Sequence, residues 1–238
     1  MRAVALVPAR LGSSRLPGKV LADLAGRPMV VRVLERLRGC REIAEIAVAT
    51  DDRAVADAVR AAGFLATLTR ADHPSGTDRI AEVALGMQAE IIVNVQGDEP
   101  FVDPALVDAL VVAVRQGAVI ATACAPFEGD PAEPSRVKVV RSAKGQALYF
   151  SRAPIPAGGP YYQHIGLYAF RRATLLQVTA LPPSPLEQSE RLEQLRWLEA
   201  GLPIQLVPTQ APSLAVDTPA DLARARAMLG APKQGGDP

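Results

Sequence analysis

The sequence predicts an α/β fold: a mostly parallel central sheet flanked by helices, with an antiparallel hairpin inserted in its second half. Three observations predict it. Strand-length apolar runs alternate with helical stripes through the first 115 residues, glycines close the first two stripes, and the alternation stops after Ala125.

The first unit is the run Ala3 to Val7 followed by Pro28 to Arg38, where Val30, Val33, Leu34 and Leu37 share one helical face and Gly39 ends the helix. Ile43 to Thr50 and Arg53 to Ala62, closed by Gly63, form the second unit. Phe64 to Thr69 with Asp78 to Leu85 form the third, and Glu90 to Val95 with Pro104 to Arg115 the fourth. Four strand-then-helix repeats imply parallel strands covered on both faces, with ligands gathering at their carboxyl ends.

After Val119 to Ala125 the pattern becomes local. Val137 to Val140, the turn Ala143-Lys144-Gly145 and Ala147 to Phe150 read as a hairpin. The Pro- and Gly-rich stretch Ser151 to Tyr162 reads as a loop beside a site. Gln163 to Phe170 is a further strand, Leu186 to Ala200 a helix with Leu192, Leu195 and Leu198 inward, and Ile204 to Pro208 a strand. Thr218-Pro219-Ala220-Asp221 opens a last helix with a variant of the capping box. One domain over residues 1–230 is expected, with about 126–170 as a substrate and dimer sub-region and 231–238 as a flexible tail.

Composition narrows the function. The 238 residues are 49% hydrophobic and 21% charged, which suits a packed core, and no apolar run approaches the length of a membrane span. The N-terminus lacks the order of a secretory signal, so a cytoplasmic location is expected. A net charge of +1 gives no overall attraction to nucleic acid or anionic lipid. Cys40 and Cys124, with only His73 and His164 beside them, favour neither a disulfide framework nor a zinc or iron site.

Chemistry concentrates at three strand ends. The first is Val7 to Lys19, where Arg10, Arg15 and Lys19 share a loop with Gly12 and Gly18 directly after an apolar strand. Glycines let backbone N–H groups approach phosphate oxygens, and the cations neutralise a triphosphate and a leaving pyrophosphate. A basic surface loop is the bland alternative. Five residues separate Gly12 from Gly18 and Val20 follows Lys19, so the loop is no Walker A motif, and the dinucleotide G-x-G-x-x-G spacing is missing.

Asn94-Val95-Gln96-Gly97-Asp98-Glu99-Pro100 is the second strand end, with Asp98 suited to Mg²⁺ and equally suited to a turn or helix cap. The third is Val216-Asp217-Thr218-Pro219, where Asp217 either satisfies helix N–H groups or partners Asp98 around one ion. His73-Pro74-Ser75-Gly76 reads by itself as a turn.

In order along the chain, these elements resemble the 3-deoxy-manno-octulosonate (Kdo) cytidylyltransferases, or CMP-Kdo synthetases. The resemblance rests on Pro8-Ala9-Arg10 with Ser14-Arg15-Leu16-Pro17-Gly18-Lys19, on Thr69-Arg70-Ala71-Asp72-His73 with Ser75-Gly76-Thr77-Asp78-Arg79, and on Val93 to Pro100. It continues through Val137 to Val140, Ala147 to Arg152, His164-Ile165-Gly166-Leu167-Tyr168, Leu192 to Arg196 and Val216 to Pro219. What it implies is a nucleotidyltransferase fold resembling GT-A, and transfer of CMP from CTP to Kdo with release of pyrophosphate. It also implies a Mg²⁺ requirement, a homodimer and a product destined for lipopolysaccharide.

Under that resemblance Arg10, Lys19 and Asp98 are the catalytic candidates, with Arg15 near the phosphates and Asp98 and Asp217 as metal ligands. Ala9, Arg70, Ser75 and Gly76 are candidates for the base. For the sugar acid the candidates are Gln96, Arg152, His164, Tyr168, Glu193 and Gln194, although Tyr168 also suits a core, His164 a strand cap, and Glu193 and Gln194 a solvated helix face. The stretch Ala153 to Gln163 is shorter than the family often has, which leaves other sugar acids, such as an amino-substituted octulosonate or a sialic-acid relative, as alternatives. A non-catalytic nucleotide-binding module is a further alternative.

Overall fold

The computed structural model describes residues 1–12, 16–210 and 214–230. The tail expected over 231–238 therefore lies outside the described residues, as does Arg15 of the basic loop.

The first half follows the strand-helix repeats. Strand β1 (Ala3–Ala9), helix α1 (Met29–Leu37), β2 (Ile43–Thr50), α2 (Arg53–Ala61), β3 (Leu65–Leu68), α3 (Gly76–Leu85), β4 (Ile91–Asn94) and α4 (Pro104–Arg115) alternate without exception. Pairing of β1 with β2 and β4, and of β2 with β3, is parallel. Every residue of β1 is buried, as expected of a parallel strand covered on both faces.

The second half comprises β5 (Ile120–Pro126), β6 (Lys138–Arg141), β7 (Ala147–Ser151), β8 (Tyr162–Arg171), α5 (Arg172–Thr179), α6 (Pro185–Glu190), α7 (Gln194–Glu199), β9 (Ile204–Pro208) and α8 (Pro219–Gly230). β6 and β7 form the predicted antiparallel hairpin. The main sheet runs β3-β2-β1-β4-β8-β5-β9, and β8 enters antiparallel between β4 and β5.

Side chains sort onto the two faces with the strand period of two. Ala3, Ala5 and Val7 of β1 pack beneath α1, α2 and α4, together with Val30, Val59 and Leu110. Val4 and Leu6 pack on the opposite face with Ile80 of α3, Leu175 of α5 and Trp197 of α7. A smaller cluster of Leu24, Met29, Val216, Leu222 and Ala225 fastens α8 to the segment between the basic loop and α1.

Two helical features differ from expectation. The single helix expected over Leu186 to Ala200 is two short helices, broken at Arg191, whose φ of 55° is left-handed. Tertiary hydrogen bonds account for the break: the Arg152 guanidinium donates to the carbonyls of Glu190 at 3.0 Å and Arg191 at 3.4 Å. The Glu190 carboxylate in turn accepts from the Ser151 hydroxyl at 2.7 Å and the Arg152 N–H at 3.0 Å. Helix α5 has no counterpart in the sequence reading, being short and without a side-chain N-cap. Its Arg172 donates to the last carbonyls of α3, Ala84 at 2.6 Å and Leu85 at 2.7 Å, so one helix start caps another helix's end.

Candidate active site

At the carboxyl ends of β1 and β4 the chain opens a cleft of 290 Å³ lined by Pro8, Ala9, Arg10, Gly12, Lys19, His73, Ser75, Gly76, Arg79, Gln96, Gly97 and Asp98, among others. Close packing of three segments makes it. A Cβ on Gly76 would stand 3.0 Å from the Pro8 side chain, and one on Gly97 would stand 3.1 Å from the Pro8 carbonyl oxygen. Both positions leave no ready room for a side chain, and their glycines let the start of α3 and the end of β4 close against the end of β1.

Lys19 opens a 3₁₀ turn, Lys19–Leu21, after the left-handed Gly18. Its ammonium donates to the Asp98 carboxylate and, at 2.8 Å, to Asp217. Burial alone would lower the Lys19 pKa, but the charges of Asp98 and Asp217 and their hydrogen bonds outweigh it, so the group is held above its ordinary value. Asp217 reaches this point because the Val216 N–H donates to the Asp98 carbonyl at 2.8 Å, while Val216 itself is buried under α8. Residues 98 and 217 are thus joined through backbone as well as through Lys19.

Along the cleft wall, Ser75 caps α3 and its hydroxyl donates to Asp78 at 2.6 Å. Arg79, 3% exposed, donates to the Thr69 hydroxyl at 2.7 Å and the Arg70 carbonyl at 3.2 Å, and lies 3.3 Å from Asp51. This one guanidinium ties the ends of β2 and β3 to α3. The sequence reading had it within a matched motif but not among the site candidates, although its spacing of four from Ser75 puts both on one side of the helix start. His73 also lines the cleft, with its Nε2 against the Glu82 carboxylate.

Seven of the candidates named from sequence line this cleft: Ala9, Arg10, Lys19, Ser75, Gly76, Gln96 and Asp98. Arg70 stands outside it, exposed, with its guanidinium 3.5 Å from Asp72 and 3.7 Å from Glu82. Asp217 meets Lys19 as described, and His164, Tyr168, Glu193 and Gln194 gather on the β8 side. Tyr168 is buried and packs edge-on against Trp197 at 5.1 Å, and His164 likewise packs edge-on against Phe150 at 4.9 Å with its Nε2 3.0 Å from the Thr122 hydroxyl. Burial lowers the His164 pKa to about 3, so the ring is neutral, and burial likewise raises Tyr168 well above its ordinary value.

A buried hydrogen-bond chain connects the two regions. Gln96 donates to the Asn94 side-chain oxygen at 3.4 Å, the Asn94 amide donates to Thr77 at 3.3 Å, and the Thr77 hydroxyl donates to Glu193 at 2.6 Å. Burial raises the Glu193 pKa against the hydrogen bonds from Thr77 and Ser75, and its Oε2 is buried with no partner among the described residues. Gln194 begins α7 and is buried beside it. Neither Thr77 nor Asn94 figured among the candidates, though a buried asparagine closing an apolar strand is a recognisable signal.

Arg152 stands on a third segment, with its guanidinium committed to the carbonyls of Pro134, Glu190 and Arg191. Among the described residues no group of three or more His, Cys, Asp or Glu side chains converges as a metal cluster. Two carboxylates meeting on one cation is what the site offers.

Known proteins resemble this chain over most of its length. A family model described as cytidylyltransferase matches residues 4–204. A 3-deoxy-manno-octulosonate cytidylyltransferase of Azorhizobium caulinodans is 54% identical, with 94% of each chain covered. One of Xanthobacter autotrophicus is 51% identical, over 96% of this chain and 94% of that one. Among solved structures, a CMP:2-keto-3-deoxy-manno-octonic acid synthetase complexed with CTP superposes with a TM-score of 0.92 at 45% identity, covering 96% of this chain and 98% of the other.

Proposed function

The chain belongs to the cytidylyltransferase family, and from that premise we propose that it transfers CMP from CTP to the anomeric hydroxyl of Kdo, releasing pyrophosphate. The observation that carries the reading is the meeting of Lys19, Asp98 and Asp217 in a cleft whose walls are glycine, small residues and Arg10.

Such a transfer needs in-line placement and dispersal of charge rather than covalent help from the protein. The sugar oxygen attacks the α-phosphorus, the bond to the β-phosphate oxygen breaks, pyrophosphate leaves, and the hydroxyl proton passes to solvent. Arg10 and Lys19 neutralise the triphosphate and then the leaving group. Asp98 and Asp217 fit Mg²⁺: they are hard anionic oxygens already converging on a cation, the Lys19 ammonium, and water and phosphate would fill the remaining positions. When bound, Mg²⁺ supplies charge neutralisation and a lowered pKa for a coordinated hydroxyl. Lys19 then exchanges its carboxylate partners for phosphate oxygens. On the β8 side, the uncharged His164 and Tyr168, with Glu193 and with Gln96 at the edge of the cleft, suit a polyol, and Arg152 is the cation for its carboxylate.

We read residues 1–230 as one nucleotidyltransferase unit, acting as a homodimer in the cytoplasm and supplying lipopolysaccharide synthesis, with 126–170 contributing sugar and dimer contacts. No described helix is long and apolar enough to cross a membrane. The test is pyrophosphate release with CTP, Mg²⁺ and Kdo, beside sialic acid and an amino-substituted octulosonate, with Asp98→Asn as control. Release with Kdo that the control abolishes is expected. Release only with another sugar acid would overturn the sugar assignment, and none with any acceptor would overturn the reaction.

A further inference from the structure

We propose that His73 reads the 4-amino group of cytosine, with Glu82 as the positioning residue that fixes which ring nitrogen accepts; this rests on the CTP reading above. His73 lines the cleft beside Ser75 and Gly76, yet its side chain is only 6% exposed, so the ring is held rather than free. Nε2 faces the Glu82 carboxylate, which also accepts from the Arg70 backbone N–H at 3.3 Å. The hydrogen bond from His73 holds Glu82 below the ordinary carboxylate range, so Glu82 is ionised and can only accept. An acceptor-only partner requires the proton on Nε2, and a neutral ring then carries its lone pair on Nδ1. Nδ1 has no hydrogen-bond partner among the described residues and is not sealed from solvent.

Few other groups in the cleft could play this part. Arg10, Lys19 and Arg79 can only donate, and Asp98 is engaged by Lys19. The Ser75 oxygen already accepts from the Asp78 N–H at 3.2 Å while its hydroxyl donates to the Asp78 carboxylate at 2.6 Å. Gln96 has an amide oxygen, but its amide is tied to Asn94 only at 3.4 Å, and a terminal amide that turns presents either its oxygen or its NH₂ group, so it tolerates either pyrimidine. A histidine with one nitrogen pinned cannot turn. Cytosine presents a donor at position 4, whereas uracil presents a carbonyl oxygen that would face the Nδ1 lone pair with no proton between them. A polar group left unpaired in this way is what gives a site large discrimination between close analogues.

The experiment measures calorimetric affinities for CTP and UTP with Mg²⁺ in the wild type, His73→Gln, His73→Asn and Glu82→Gln, each checked for folding by circular dichroism. Glutamine can keep the Glu82 contact while removing the acceptor at the Nδ1 position; asparagine does the reverse. His73→Gln is expected to lose the CTP-over-UTP preference by about 10- to 100-fold, His73→Asn less, and Glu82→Gln about 10-fold. A preference unchanged in His73→Gln overturns the proposal, as does the opposite ranking, which would make the histidine only a tie to Glu82. Should one histidine variant fail to fold, the other and Glu82→Gln decide it by the same criterion. Wild-type protein that binds neither nucleotide would instead overturn the CTP reading on which the proposal stands.

Discussion

The cleft at the ends of β1 and β4 and the polar patch behind β8 organise their side chains in opposite ways. In the cleft the active groups are charged and answer one another: Lys19 bridges two carboxylates, and Arg79 meets Asp51. Behind β8 they are largely enclosed and carry little charge, with His164 kept uncharged, the Glu193 pKa raised by burial, and the aromatic rings packed edge to face. Under the proposed assignment, a phosphate chain would be met by cations exchangeable between partners, whereas hydroxyl groups would be met by a prebuilt network that tolerates little charge.

The comparison breaks first at the carboxylates. Asp98→Asn should cost about 10³-fold in turnover, the upper scale for one transition-state electrostatic contact, as read by pyrophosphate release. Lys19→Ala should cost about 10²-fold, while Mn²⁺ binding without nucleotide, followed by electron paramagnetic resonance, should tighten because the competing ammonium is gone. Unchanged turnover with the fold intact would remove Lys19 from the phosphate site.

On the enclosed side the losses should appear in stability and sugar affinity instead. Thr77→Val leaves the Asn94 amide and the Glu193 carboxyl without their shared partner, and denaturant unfolding should show a loss of about 2 kcal/mol. The smallest effect is that of pH. His164 titrates near its ordinary value when unfolded and at about 3 when folded, so its stabilising contribution is full above pH 6.5 and declines as pH falls toward 3. Between pH 6 and 5 the wild type should lose about 1.2 kcal/mol through this group, and His164→Gln should flatten that slope.

The two regions also differ in how far the sequence disclosed them. In the first half the local signals agree with the tertiary outcome: Ala3, Ala5 and Val7 alternate with Val4 and Leu6, Asp52, Ser75 and Asp103 cap their helices, and β2 and α4 fall where their patterns put them. Lys19 and Asp98 could be named as candidates because a glycine-containing basic loop and an acid each follow an apolar strand, and the fold brings the two side chains together. In the second half long-range partners overrule local preference. The Leu186 to Ala200 stretch is helical in pattern, but Arg152 and Ser151, more than thirty residues earlier, hold its middle open at Glu190 and Arg191. Arg79, Thr77 and Asn94 stood within matched motifs but not among the candidates, because each acts through partners on other elements that only the folded chain brings within reach.

The position of β8 has a further consequence, for the order of assembly. Ile91 of β4 pairs with Arg171 and Ile120 of β5 with Phe170, so both strands wait on one that is synthesised 50 to 80 residues later. Until residue 171 has left the ribosome, β4 offers an open edge beside Asn94 and the first four strands form an unfinished sheet. Such high contact order slows folding and leaves a strand edge exposed to intermolecular pairing. A chain truncated before β8 should therefore associate with itself rather than fold into a smaller active half.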